Sequence, residues 1–189
     1  MAAATREFGE HGYHGANVVS IAAAAGVTKV IAYRAFGSKR EMYTHLLEHH
    51  RDELLAALID SQTGSNATSD QRVRAGLDAW FAYVEQHPFA WRLLFRDTTG
   101  EPSLEELHQR MRTQARTVLS DLLHEHLDVP ASAAPFVAEF LRSAIVGVAL
   151  WWLEHPDHDR QVIVDGAHRL AAGALSAGNQ DARPPPHQP

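Results

Sequence analysis

Apolar residues recur at spacings of three and four along the whole of this chain, and no stretch alternates β-branched residues with a period of two. That pattern commits the chain to helices packed on helices, so the fold class read from it is all-α. Local signals divide the pattern into elements. Ser38 and Glu41 form a capping box that opens a long helix carrying Met42, Leu46, Leu47, Leu54, Leu55, Leu58 and Ile59, as far as a polar break over 61–69. Val73, Leu77, Trp80, Phe81 and Val84 mark the next helix, which His87-Pro88 ends because proline disfavours helical geometry in the residue before it. A short helix through Leu94 follows, then a loop with Gly100 and Pro102. Ser103 and Glu106 repeat the capping box ahead of a stripe from Leu104 through Met111 and Val118 to Leu123. After Pro130, a cap at Ser132 and a proline at 135 predict a helix from Ala133 to His155. A last helix is expected from Arg160 to Ala177, stopped by Gly178-Asn179, and the proline-containing stretch 179–189 is expected to be disordered.

Composition narrows the function classes. With 45% hydrophobic residues in 189, the chain can bury a core, and with no cysteine it has neither disulfides nor thiolate chemistry. The longest apolar run, Ala144 to Leu153, is half the ~20 residues of a membrane span, and no apolar leader follows Met1, so no membrane partner and a cytoplasmic location are expected. The net charge of −6 speaks against coating nucleic acid by bulk charge. The charge is uneven, however. Arg6, Lys29, Arg34, Lys39 and Arg40 against Glu7, Glu10, Glu41 and Glu48 leave residues 1–50 at +1, so the acidic excess lies beyond them.

The near-neutral N-terminal part contains the most informative segment, residues 17–36, NVVSIAAAAGVTKVIAYRAF. Two helices crossing closely need a small side chain at the crossing, which Ala22 supplies. Four residues on, Gly26 can take the positive φ of a tight turn. Ile21, Val27 and Ala32 are then placed to fill the small core between the helices, with Asn17 capping the first and Thr28 the second. The pattern reads as a helix-turn-helix whose second helix runs from Lys29 to about Ala35.

Gly12-Tyr13, Ile21-Ala22, Ala25-Gly26-Val27-Thr28-Lys29, Tyr33-Arg34-Ala35-Phe36 and Gly37-Ser38-Lys39 together resemble the N-terminal signature of TetR/AcrR-type transcriptional regulators. The resemblance runs from about Phe8 to Leu47. It implies a three-helix DNA-binding domain over 1–48 and a helical ligand-binding and dimerisation domain over 49–178. It also implies a homodimer that represses by holding double-stranded operator DNA until a small effector binds, and the apolar side chains named below suggest a hydrophobic or aromatic one. By the same resemblance the helix beginning at Thr28 lies in the major groove, and Asn17, Thr28, Lys29, Tyr33, Arg34 and Lys39 correspond to positions that touch phosphate or bases. Val30 and Ile31 stand where the family commonly has a Gly-Thr or Gly-Ser pair, so the base preference there is expected to be apolar, toward thymine methyls. The first helix is expected to have only about eight residues before Gly9 and Gly12 close it. Family members usually carry a further basic segment ahead of it, which implies a truncated start.

In the second region Trp80, Tyr83, Phe89, Trp91, Leu94, Met111, Phe140, Val148 and Trp151 are the candidate effector-binding side chains, since Trp and Tyr carry polar tips that a dry core serves poorly. Ala144, Gly147, Ala149, Ala167, Ala171 and Ala174, interleaved with Val146, Leu150, Leu153 and Leu170, form the candidate dimer interface. The thirteen histidines raise a rival metal reading at His45 and His49, spaced i, i+4, and at His155, Asp157, His158 and Asp159. Neither places a third ligand by sequence, so no metal and no cofactor is assigned. No phosphate loop, nucleophile elbow or HExxH motif is present, which leaves no enzyme constellation. The competing function class is a helical small-molecule or metal-binding module without operator binding.

Overall fold

The computed structural model describes residues 1–62, 67–95, 100–127 and 129–180, with side chains for all of these except 122, 125–127 and 174–180. These residues form α1 (Ala2–Gly15), α2 (Val18–Ala24), α3 (Lys29–Phe36), α4 (Lys39–Ser61), α5 (Ser69–Gln86), α6 (Pro88–Phe95), α7 (Pro102–Leu127), α8 (Ala134–Glu154) and α9 (Arg160–Gln180), and no strand occurs among them. The all-α class read from the apolar spacing is therefore what the chain adopts. The expected tail, from residue 181 on, lies outside the described residues.

Several caps form as the sequence implies. The Ser38 hydroxyl accepts from the Glu41 N–H at 3.1 Å while the Glu41 carboxylate accepts from the Ser38 N–H at 2.8 Å, closing the box that starts α4. A second box, Thr68 with Gln71, starts α5. The signal for it was present as Thr-x-x-Gln but lay inside a stretch that reads as loop.

Other boundaries differ from expectation. Gly9 does not close α1. The helix continues to Gly15 with a kink at Gly12, whose φ of 68° is open to glycine at low cost. Ser103 and Glu106 do not cap α7, because Pro102 takes the first turn, and Glu105 instead reaches back to the Gly100 N–H at 3.0 Å. Ala133 rather than Ser132 caps α8, without a side-chain hydrogen bond, and α9 runs through Gly178 and Asn179 to Gln180.

Packing groups the chain into two compact units, each made of two stretches: Met1–Asp60 with Trp80–Gln109, and Ser61–Ala79 with Arg110–Pro189. In the first, Phe8 and Tyr13 lie parallel to each other and each meets Tyr43 edge-on, with Phe8–Tyr43 and Tyr13–Tyr43 ring centroids each 5.2 Å apart. Met42, Leu46, Leu47, Phe81 and Trp91 are fully buried in the same unit. The α1 and α6 backbones touch. A Cβ on Gly9 would stand 2.6 Å from the Phe89 carbonyl oxygen, so only glycine allows this approach.

The second unit has its own core of Leu123, Val129, Ala134 and Ala138. Its α9 is tied to α5 by the Arg160 guanidinium on the Asp78 carboxylate at 2.9 Å. The α8–α9 connection is closed by the Trp152 indole N–H donating to the His158 carbonyl at 2.8 Å.

Candidate nucleic-acid interface

Two short helices, α2 and α3, turn through 103° across Ala25–Thr28, within the range of DNA-binding helix-turn-helix pairs. The turn glycine, the two caps and three of the four core residues that the sequence offered for this corner are in place. Gly26 holds φ 69°, and its neighbour's N–H (Val27) bonds back to the Ala22 carbonyl at 2.9 Å. Asn17 accepts from the Val19 N–H at 2.8 Å and Thr28 from the Ile31 N–H at 3.3 Å, capping α2 and α3. Ile21, Ala22 and Ala32 fill the inside of the corner. Val27, expected with them, is instead 38% exposed, because the turn that follows Gly26 carries it outward.

What remains on the outside of α3 is a surface of mixed chemistry. Thr28, Lys29, Val30 and Arg34 are exposed and Tyr33 is half-buried. The Lys29 ammonium lies over the Tyr33 ring, 5.5 Å from its centroid, which holds a cation and a phenolic hydroxyl side by side. Val30 is the most outward of the apolar pair at 67% exposure. Ile31 shares its surface with an apolar recess that also touches Ala22, Ala32 and Phe36.

Lys39, at the start of α4, is placed differently from the others. Its ammonium donates to the His14 carbonyl at 3.1 Å and sits 5.2 Å above the Tyr13 ring. The capping box takes up the Glu41 N–H of α4, and the hydrogen bonds from Ser38 hold the Glu41 carboxyl below its ordinary range. Arg40, exposed beside Lys39, was not among the residues singled out from sequence, although adjacency to the same helix start was the available signal.

Residues 1–46 match the family described as bacterial regulatory proteins, tetR family, and residues 70–175 match the tetracyclin repressor-like C-terminal domain. Over 179 residues the chain is 32% identical to the HTH-type transcriptional activator FasR of Mycolicibacterium smegmatis, covering 93% of this chain and 81% of that protein. The chain belongs to the TetR family of transcriptional regulators. An HTH-type transcriptional repressor of Streptomyces coelicolor is 27% identical over 96% of this chain and 85% of that protein. A TetR-like regulator from Rhodococcus sp. RHA1 shares the fold with a TM-score of 0.78 at 21% identity, over 93% of this chain and 92% of that one. TetR-family proteins are DNA-binding regulators and not enzymes.

The regulator's candidate effector side chains fall into two sets. In the first unit Trp80, Trp91 and Phe95 form an aromatic cluster, with Trp80–Trp91 centroids 4.8 Å apart and edge-on. Neither indole N–H meets an acceptor among the described residues. Leu94 is buried, whereas Phe89 lies under the Arg6 and Arg92 guanidinium groups. Tyr83 turns to α4, where its hydroxyl donates to the His50 carbonyl at 3.1 Å, and burial raises its pKa. In the second unit Met111 and Val148 are half-buried, and Phe140 and Trp151 are exposed, Trp151 stacking on His155 at 4.4 Å.

The candidate interface residues also separate. Ala144 and Gly147 are exposed on α8, whereas Ala149 and Ala171 are buried within the subunit itself. Ala174 falls among the residues whose side chains are not described. Of the histidines, His45 packs against Phe36 instead of joining His49 in a site. Among the described residues the one group that brings three metal-competent donors together is His49, His50 and Glu53.

Proposed function

We propose that this TetR-family protein is a ligand-responsive repressor. In this reading a homodimer grips a pseudo-palindromic operator through α3 of each subunit and lets go when a small apolar effector binds. The observation that carries it is the outward face of α3, where Lys29, Arg34, Tyr33 and Thr28 can serve phosphates and base edges while Val30 offers an apolar contact for a thymine methyl. Asn17, Ile31 and Lys39 act around that face. Asn17 fixes the entry of α2, and Lys39 reaches phosphate by leaving the His14 carbonyl. The functional division follows the sequence, with 1–48 reading DNA and 49–178 receiving ligand and partner.

Dimerisation is supported by a stripe on α8. Phe136, Phe140, Ala144, Gly147 and Trp151 recur at i, i+4, i+8, i+11 and i+15 and are all exposed. A Cβ at Gly147 would meet nothing within 4 Å, so the middle of the stripe is open for a second helix to approach closely. On α9, Val162, Gly166, Leu170 and Gly173 repeat the arrangement, with Leu170 76% exposed. By length and mean hydropathy α8 would also pass for a membrane span. Its match to the family's C-terminal domain supports a subunit contact in a cytoplasmic protein instead.

Effector binding is supported by the Trp80–Trp91 cluster. Two buried donors without acceptors are costly, and an apolar ligand carrying a carbonyl or carboxylate would supply the missing acceptor. Met111, Phe140, Val148 and Trp151, in the second unit, are effector candidates by residue type alone. Because α6 carries Trp91 and lies in backbone contact with α1 at Gly9, displacement of α6 reaches the DNA-binding helices directly. The long α4, which begins after α3, offers a second route. A ligand shifts DNA affinity only by preferring one arrangement. Tryptophan fluorescence titrations with fatty acyl and aromatic carboxylates, with and without operator, test this. The expected coupling is about 5- to 150-fold weaker DNA binding in the liganded protein, reduced in Trp80→Ala. Equal ligand affinity in both conditions would remove the mechanism.

A further inference from the structure

Beyond DNA and effector, α4 carries a group of donors that neither uses. The i, i+4 and i, i+3 spacings set the Glu53 carboxylate between two imidazoles. His49 Nε2 stands 3.3 Å from Oε1 and His50 Nδ1 3.2 Å from Oε2, and the donor atoms all lie within 4.8 Å of one another. Two metal–ligand bonds of about 2.0–2.2 Å meeting at a tetrahedral angle hold their donor atoms about 3.3–3.6 Å apart. Each imidazole already stands at that spacing from one of the two carboxylate oxygens, and side-chain rotation on the same helical turn has to bring donors that lie up to 4.8 Å apart closer round a shared ion.

We propose that His49, His50 and Glu53 form a site for a divalent transition-metal ion of the zinc, nickel or cobalt kind, with the remaining position open to water. Two imidazoles and one carboxylate, with no thiolate in the chain, select such borderline ions over magnesium or calcium, which prefer all-oxygen sites. His49 and Glu53 are about two-fifths exposed and give the ion a way in, while His50 is 6% exposed and fixes the inner side. Burial lowers the pKa of His50 and so favours the neutral ring that a metal requires.

The surroundings of His50 decide how the ion is held. Its Nε2 is 2.8 Å from Thr5 Oγ1 on α1, and that hydroxyl can in turn donate to the Met1 carbonyl at 3.4 Å. When Nδ1 is bare for the metal, the Nε2–H therefore has an acceptor, and the hydroxyl that receives it has one too. This is the outer hydrogen bond that orients metal-bound histidines. Without metal the proton is free to sit on Nδ1, where Glu53 and the Tyr83 oxygen, 3.0 Å away, are placed to receive it, and Thr5 can then donate to Nε2. Occupancy thus reverses the hydrogen bond between α1 and α4 and frees the one from His50 to α5, making the ion a candidate regulator separate from the effector.

Calorimetric titration of the full chain, first stripped with chelator, with zinc chloride at pH 7.5 is the test. One equivalent should bind. His49→Ala and Glu53→Gln should each weaken it by at least about tenfold, with helicity preserved because both side chains are partly exposed. Thr5→Ala should weaken it about 10- to 100-fold, which a chance pair of surface histidines would not do. The double variant His155→Ala with His158→Ala should bind as the wild type does. Absence of saturable binding, unchanged affinity in both α4 variants, or loss in the His155/His158 double variant would overturn the assignment.

Discussion

Ser38 and Glu41 exchange two hydrogen bonds at the point where the DNA-binding helices hand over to α4, so the angle at which α3 is presented depends on this pair. Ser38→Ala should cost about 1 kcal/mol of stability, the usual effect of losing an N-cap, measurable as a shift in the urea midpoint. The Glu41 carboxyl is held below its ordinary value of 4.5 by bonds from Ser38. A depressed carboxyl contributes its stability above the unfolded-state value and loses it as pH falls through the folded-state value. The difference between wild type and Glu41→Gln in urea titrations should accordingly be present at pH 7 and shrink below about pH 4.5. A gap that persists or widens in acid would exclude the capping role. At this scale the sequence was most legible where chemistry is local: Asn17, Thr28, Ser38 and Gly26 each act on residues within four positions. Val27 and Lys39 were not, because the exposure of one and the hold of His14 on the other depend on where separate helices come together.

Between helices, the α1–α6 contact is the tightest device in the first unit. Gly9 meets the backbone of Phe89, so a methyl group there cannot be absorbed by a side-chain rotation. Gly9→Ala should push α6 away and destabilise the protein by about 1–3 kcal/mol, and in the proposed mechanism it should alter operator affinity even without effector. A variant as stable as the wild type would show that the helices are free to separate. The same residue marks the limit of sequence reading. Glycine at position 9 looked like the end of a helix, because a stop and a close crossing use the same residue. Helix existence and order followed from apolar periodicity, whereas the start of α7 turned on whether Pro102 or Ser103 took the first turn, a choice that neighbouring backbone decides.

At the scale of the whole molecule the account requires two copies. Gly147→Glu places a charge in the middle of the exposed α8 stripe, where an uncompensated buried ion in a dimer costs several kcal/mol. Light scattering at tens of micromolar should find a wild-type dimer and a monomeric, still helical, variant. Ala171, which looked equivalent in the sequence, would be a poor probe because it is buried within its own subunit. A small residue in a helix reads alike whether it faces its own core or a second subunit, and the pocket residues shared that ambiguity.

The central claim, that α3 reads DNA, is tested most directly by fluorescence anisotropy with duplexes from the DNA flanking the protein's own gene, across a series of salt concentrations. Wild type should bind one duplex specifically, with half-sites about one helical turn or somewhat more apart. Lys29→Ala should weaken all duplexes alike and reduce the salt slope by about one, as for a lost phosphate contact. Arg34→Ala should relax discrimination among them, costing about 1–3 kcal/mol on the specific site. Binding that is unchanged in both variants, or equally tight on every duplex, would contradict the account.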